Sequence, residues 1–309
     1  MKMLTKAMQA DIARQMYNKA RDIDVALFNY LDGTMPNDYI LDALMFYTTK
    51  DGGFAGGLYI DNYNVNTSVY QIYEAYRILS MADINVSCGH ELYSSIINRS
   101  MNYLYNRAEI IDNRWNPNVP TNNDFAHSME FEYTEENRKL FGYAPTAAIL
   151  GYTLEFCPPT KAYYKKALRM IDIMLKDFYQ MDKLSKYEFK SFNSFLESIR
   201  RLGLYPDEQP KIEAKLTELA LEAVSLDFAD FSAIHPLDCA MALRDERLCE
   251  MKEEELDYII DSIAPHGLWE YNGTWGYNRY AEEDSAKIKW IGAVSVNHYF
   301  LLKKYGRLE

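Results

Sequence analysis

One unit recurs three times along this chain: a tight turn ending in an aromatic residue, a polar loop, then an apolar helix. Asp51-Gly52-Gly53-Phe54 precedes a helix expected from near Asn66, and Asp112-Asn113-Arg114-Trp115 precedes one from near Pro145. His266-Gly267-Leu268-Trp269 precedes the helix that carries Trp290 and Val294. A helix that cannot bury its own apolar face needs neighbours, so a repeated helical unit points to a ring or a solenoid. Gly52 and Gly53 suit a positive-φ turn, and Phe54 and Trp269 suit wedges between helices.

Nearly all the periodicity is helical. Val69, Ile72, Tyr73, Tyr76 and Leu79 follow the i, i+3, i+4, i+7 pattern of one helix face, as do Phe192, Phe195, Leu196, Ile199 and Leu202. Similar faces near residues 7–31, 36–48, 164–178, 216–226, 256–263 and 291–301 bring the expected number of helices to roughly eleven. No stretch alternates apolar and polar residues with β-branched enrichment, so the class is all-α. Two connections are long, Ile111 to Gly142 and Ala264 to Ser285, and are rich in Asn, Pro, Trp and Tyr. Long loops of this kind in a compact domain are usually functional. No linker-like composition interrupts the chain, which predicts one domain over residues 1–309.

Charge narrows the partners. Lys plus Arg total 33 against 45 Asp plus Glu, a net charge of −12. That balance disfavours nucleic acid and anionic membrane surfaces, so neither is expected as a partner. No apolar run is long enough to span a bilayer, residues 1–14 lack a signal-peptide core, and the four cysteines form no CxxC pair. These features predict a cytoplasmic protein with reduced thiols. The 26 tyrosines suit the wall of a half-wet cavity or thick packing between helices.

The units bring a family into view. Asp51-Gly52-Gly53-Phe54-Ala55-Gly56-Gly57 with the helix from Thr67 to Leu79, and Gly267-Leu268-Trp269 with the Trp290 helix, resemble the squalene-cyclase and protein-prenyltransferase superfamily. More closely, the chain is similar to an uncharacterised bacterial branch of it. The carriers are Asp51 to Leu58, Asn122-Asn123-Asp124 with His127, Pro145-Thr146-Ala147, and Trp290-Ile291-Gly292 with Lys304-Tyr305-Gly306-Arg307-Leu308. The resemblance spans most of the chain but is thin between residues 160 and 260. It implies an α/α toroid of helical hairpins around an aromatic pocket for an apolar or isoprenoid-like small molecule. Fold alone does not carry that activity.

The family's chemistry finds little footing. Neither a DDxxD nor a DxDD run occurs, Asp227-Phe228-Ala229-Asp230 being the nearest. The superfamily's transferases hold zinc with Asp, Cys and a distant His. Asp238, Cys239 and His298 are the only counterparts, but adjacent helical residues point about 100° apart and do not readily share a metal. Zinc is therefore disfavoured and no cofactor is expected. P-loop, G-x-G-x-x-G, HExxH and G-x-S-x-G motifs are missing. The run Glu253-Glu254-Glu255 reads as a solvated helix start.

The richest polar cluster lies in the first long loop. Asp124, His127, Glu130 and Glu132 are the expected catalytic groups, since a His beside carboxylates works as an acid–base pair. The bland reading of the same loop has its Asn and Asp side chains capping turns and satisfying backbone. Asn123, Trp115, Trp269, Trp275 and Tyr277 are the expected ligand contacts, with Asp61 joining them or capping a helix. Three functions fit: a toroid protein binding or transforming an apolar small molecule, a glycan-acting enzyme with Trp269 and Trp275 as stacking platforms, or a protein-binding scaffold. A glycan enzyme would draw its acid and base from Asp124, Glu130 or Glu132. Oligomeric state does not follow from the sequence.

Overall fold

Each of the three turn-and-aromatic units becomes a chain reversal that drops a large ring into the core. Phe54, Trp115 and Trp269 are each 1% exposed. The computed structural model describes residues 1–276 and 279–309, so Tyr277 lies outside the described residues. In the first unit Gly52 takes φ +103°, and a Cβ there would meet the Arg99 carbonyl at 2.9 Å, so only glycine closes this turn. In the second, Asp112 and Asn113 both lie at positive φ, +48° and +62°. They form the two-residue turn of a small antiparallel hairpin, β1 (Ile110–Ile111) with β2 (Arg114–Trp115). Strands of two residues are too short to show alternation, which is why the sequence pattern gives no sign of them.

The two tryptophans of these units make the same set of ties. The Trp115 indole donates to the Leu104 carbonyl at 2.8 Å, and the Trp269 indole to the Ile259 carbonyl at 2.6 Å. Both carbonyls lie near the end of the preceding helix. The backbone N–H of Trp115 donates to Thr146 Oγ1 and that of Trp269 to Ser295 Oγ, both on the following helix. Each tryptophan thus fastens two helices, and truncating either should cost about 3–5 kcal/mol.

Among the described residues the chain is mostly helical. It opens with α1 (Lys6–Lys19), α2 (Asp22–Asp32), α3 (Asp38–Met45), α4 (Val69–Met81) and α5 (Glu91–Asn106). The middle holds α6 (Glu135–Leu140), α7 (Thr146–Phe156), α8 (Ala162–Phe178), α9 (Lys186–Arg201) and α10 (Gln209–Ala223). α11 (Pro236–Ala240), α12 (Glu246–Asp261) and α13 (Glu282–Lys304) complete it. The two beyond the expected eleven include α6 and α11, of 6 and 5 residues, too short to display a 3.6-residue period. α7 is buried along its whole length, its mostly apolar sequence broken by Thr146, Thr153 and Glu155, the last paired with Arg201 at 3.0 Å. Gly151 lets it approach α9, where a Cβ would fall 2.8 Å from Ser198 Oγ. No helix among the described residues is long and apolar enough to cross a membrane.

Helix neighbours follow in order. α2 packs on α3, α3 on α5, and α5 joins α4 through the Tyr76–Ser100 hydroxyl bond at 2.7 Å. α4 packs on α7, α7 on α9, α9 on α11, α11 on α12, α12 on α13, and α13 returns to α2. The ends of the chain meet as well. Leu4 bridges Leu308, and Arg307, 1% exposed, donates to the Lys2 carbonyl, Asp257 and Glu253. The Lys304–Leu308 motif is thereby explained as a clasp between the first residues and α12. It also corrects the reading of the acidic run. Glu253 to Glu255 lie in the middle of α12, with Glu253 on Arg307 and Glu255 buried.

Candidate functional site

A cavity of about 1620 Å³ opens among α4, α9, α11, α12 and α13. One part of its wall is aromatic. Tyr271 stacks on Trp290 with ring centroids 5.0 Å apart and planes at 18°, and Tyr59 meets Trp290 edge-on at 5.6 Å. Tyr70 packs against Tyr59 at 4.6 Å, and Tyr187 completes the group.

Asp61 stands in this wall because its segment is fixed from two directions. Arg21 donates to the carbonyls of Gly57 and Leu58 at 3.0 and 2.9 Å while pairing with Asp24 at 2.8 Å. Gln71 of α4 accepts from the Tyr59 N–H and donates to the Asn62 carbonyl. Asp61 Oδ1 then accepts two indole N–H groups, from Trp275 at 2.7 Å and Trp290 at 2.6 Å. Its Oδ2 accepts no hydrogen bond among the described residues, and the side chain borders the cavity. Burial pushes this carboxyl up to about 7 against the pull of the two indoles, with the charges of Glu130 and Glu283 adding to the rise. At neutral pH Asp61 is poised between acid and carboxylate.

Glu130 is the second carboxylate of this wall. The segment 126–128 runs beside 61–63, with Tyr63 N–H donating to Ala126 O and Ser128 N–H to Asp61 O. Met129 N–H donates to Trp275 O, and the 3₁₀ turn Met129–Phe131 carries Glu130 into the cavity lining. Its Oε1 accepts from the Tyr187 hydroxyl at 2.8 Å.

The rest of the first long loop has a different occupation. Asn122 is fully buried, its Oδ1 accepting from Asn62 and Asn64 and its Nδ2 donating to Phe131 O. Asn123 bonds the backbone of Tyr133, and Asp124 is exposed. His127 is buried, its Nδ1 2.7 Å from the Phe125 carbonyl and its ring 5.4 Å from Tyr280, and burial lowers its pKa. Glu132 pairs with Arg279 at 3.3 Å. Of the four expected catalytic groups, Glu130 borders the cavity, and Asp124, His127 and Glu132 lie outside its lining. Among the expected ligand contacts, Asp61 and Trp269 border it, Trp275 reaches it through Asp61, and Trp115 and Asn123 lie elsewhere.

The same cavity holds a second polar set, in which the sequence singles out Asp238 alone, and that as a weak zinc candidate. Asp238 Oδ1 lies 3.0 Å from Lys190 Nζ, and its Oδ2 3.7 Å from Lys186 Nζ. Burial works against the Asp238 charge, yet the two lysines hold its carboxyl below the ordinary range. Glu255 accepts from the Leu237 N–H at 2.7 Å and lies 3.8 Å from His235 Nδ1, and burial raises its carboxyl to about 8. The disfavoured zinc triad does not assemble. Asp238 is committed to lysines, and the Cys239 thiol donates to the His235 carbonyl and is pushed up by burial. His298 sits edge-on to Trp269 with burial lowering its pKa to about 4. Among the described residues no three His, Cys, Asp or Glu side chains are grouped to hold a metal ion.

Compared with protein-family models, with characterised proteins and with solved structures, the chain matches none.

Proposed function

We propose that the chain is a single α/α toroid whose cavity binds a carbohydrate and cleaves it by acid–base chemistry, Asp61 serving as acid and Glu130 as base. The toroid reading rests on the neighbour order, which leads from α2 through α12 and returns from α13 to α2. The functional reading rests on one observation: Asp61 is buried in the cavity wall, aimed by two indole N–H groups, with its second oxygen uncommitted. A carboxyl raised to about 7 donates a proton at neutral pH, which a glycosidic oxygen needs as its bond to carbon breaks. Glu130 keeps Oε2 available to take a proton from the attacking water while Tyr187 holds Oε1. The stacked Tyr271–Trp290 pair offers an apolar face of the kind sugar rings lie on.

A panel of defined oligosaccharides, neutral and acidic, with reducing ends followed by mass spectrometry, tests this. The reading requires turnover on one class that declines above pH 7 and is lost in Asp61→Asn. No cleavage and no binding across the panel would overturn it.

An apolar or isoprenoid-like ligand is the second reading, favoured by Tyr70, Tyr73 and Tyr152 along the wall. The Glu74–Arg77 and Lys190–Asp238 pairs facing the same space weigh against it, because an isoprenoid would desolvate them without compensation. Native mass spectrometry of the purified protein separates the two, a retained lipid mass supporting the second. A cavity of this size, not plugged by the chain's own side chains, favours either ligand over a pure scaffold.

A further inference from the structure

Lys186 takes no part in the carboxylate chemistry above, yet it lines the same cavity. It is the first residue of α9, where the positive end of the helix dipole disfavours an ammonium. Its amine donates to the Phe231 carbonyl at 2.7 Å and lies 3.7 Å from Asp238. One turn on, Lys190 reaches the other oxygen of the same carboxylate at 3.0 Å. Asp238 is therefore shared between two amines, and Lys190 is the better placed. A lysine kept only as a strap to Phe231 O needs no second cation beside it.

We propose that Lys186 is a nucleophilic amine that forms an imine with a small aldehyde or ketone entering the cavity. The Nζ lone pair attacks the carbonyl carbon, and the carbonyl oxygen takes a proton to give a carbinolamine. Nitrogen then loses one proton, the hydroxyl takes a second and leaves as water, and the resulting iminium gives up its remaining N–H proton, so amine plus carbonyl yields imine plus water with no change of oxidation state. Glu255, which lines the same cavity as Lys186 and lies 3.8 Å from His235 Nδ1, supplies and takes back these protons, with His235 as relay. Burial first, then the Lys190 charge, brings the Lys186 amine down to about 8 against the opposing charges of Asp238, Glu255 and Asp230. A neighbouring cation is a recognised means of freeing a lysine for imine chemistry. This inference is independent of the carbohydrate reading, although an open-chain sugar aldehyde belongs to the same chemical class.

The test is reductive trapping on the full chain with benzaldehyde and cyanoborohydride at pH 7, followed by peptide mapping. Lys186 should be alkylated at least about tenfold faster than the exposed Lys139 and Lys211, because a larger share of it is uncharged at that pH. The preference should shrink near pH 10, where all lysines are partly free. Lys190→Met should slow Lys186 labelling severalfold, since Asp238 then pairs with Lys186 alone. Labelling of Lys186 no faster than Lys139 overturns the proposal, and unchanged labelling in Lys190→Met overturns the part given to Lys190. Either failure leaves the oligosaccharide test of Asp61 standing.

Discussion

Two polar groups flank the segment 59–66, and they are built in opposite ways. On one side, Asn62, Asn64 and Asn122 are buried and bonded to each other and to backbone, with the amide oxygen of Asn122 taking two bonds. On the other, Asp61 gives one oxygen to two indoles and keeps the other for the cavity. The first arrangement spends its hydrogen-bonding capacity on holding a loop without helix or sheet ladders. The second holds a carboxyl where burial makes its charge costly and its proton available. On the proposed function, what separates the structural polar cluster from the chemical one is the hydrogen-bonding capacity left over.

The largest expected effect falls on the open side. Asp61→Asn keeps an acceptor for both indoles but loses the proton, so turnover on a cleaved oligosaccharide should fall about 1000-fold with the melting temperature held or raised. Next comes pH. Asp61 titrates near 7 when folded against an ordinary 3.8, so its contribution to stability is complete below about 4 and is lost as pH rises to 7. Glu255 acts in the same direction between about 4.5 and 8, while His298, lowered to about 4, contributes above about 6.5 and loses its contribution as pH falls. The difference in unfolding free energy between Asp61→Asn and the parent should therefore grow from pH 4 to pH 7, by up to about 4 kcal/mol in denaturant titrations.

The closed side should respond in stability alone. Asn122→Ala strands the buried amides of Asn62 and Asn64 and the Phe131 carbonyl, for a loss of about 3 kcal/mol in denaturant melts. Smaller still, His127→Ala should cost about 2 kcal/mol while saccharide affinity stays within about twofold. A His127→Ala protein that melts normally but binds nothing would reverse the comparison.

Much of the architecture was legible because it is local. The turns at Asp51, Asp112 and His266, the rings that follow them and the helices after those rings are set by residues close in sequence. The all-α class follows from one period seen in many segments. The site was less legible because it is assembled across the chain: Trp275 and Trp290 reach Asp61 from 214 and 229 residues away. Residue type singled out Asp124 and His127 as readily as Glu130, since composition does not reveal which side chains backbone will occupy. Lys186 and Glu255 carried no signal, as a lysine at a helix start and a glutamate in an acidic run ordinarily face water. Long-range packing alone brings them into the cavity wall.

The four tryptophans offer the most direct test. Trp275 and Trp290 donate to Asp61, while Trp115 donates to a backbone carbonyl and lies outside the cavity lining. The measurement is ¹⁵N–¹H NMR of the indole N–H groups, titrated with pH and then with the oligosaccharide that is cleaved. The account predicts that two indole resonances move together with a midpoint near pH 7 and move again on adding the saccharide, with the Trp115 resonance unmoved in both. Indole resonances that stay flat between pH 5 and 9, or that ignore the saccharide, would contradict it.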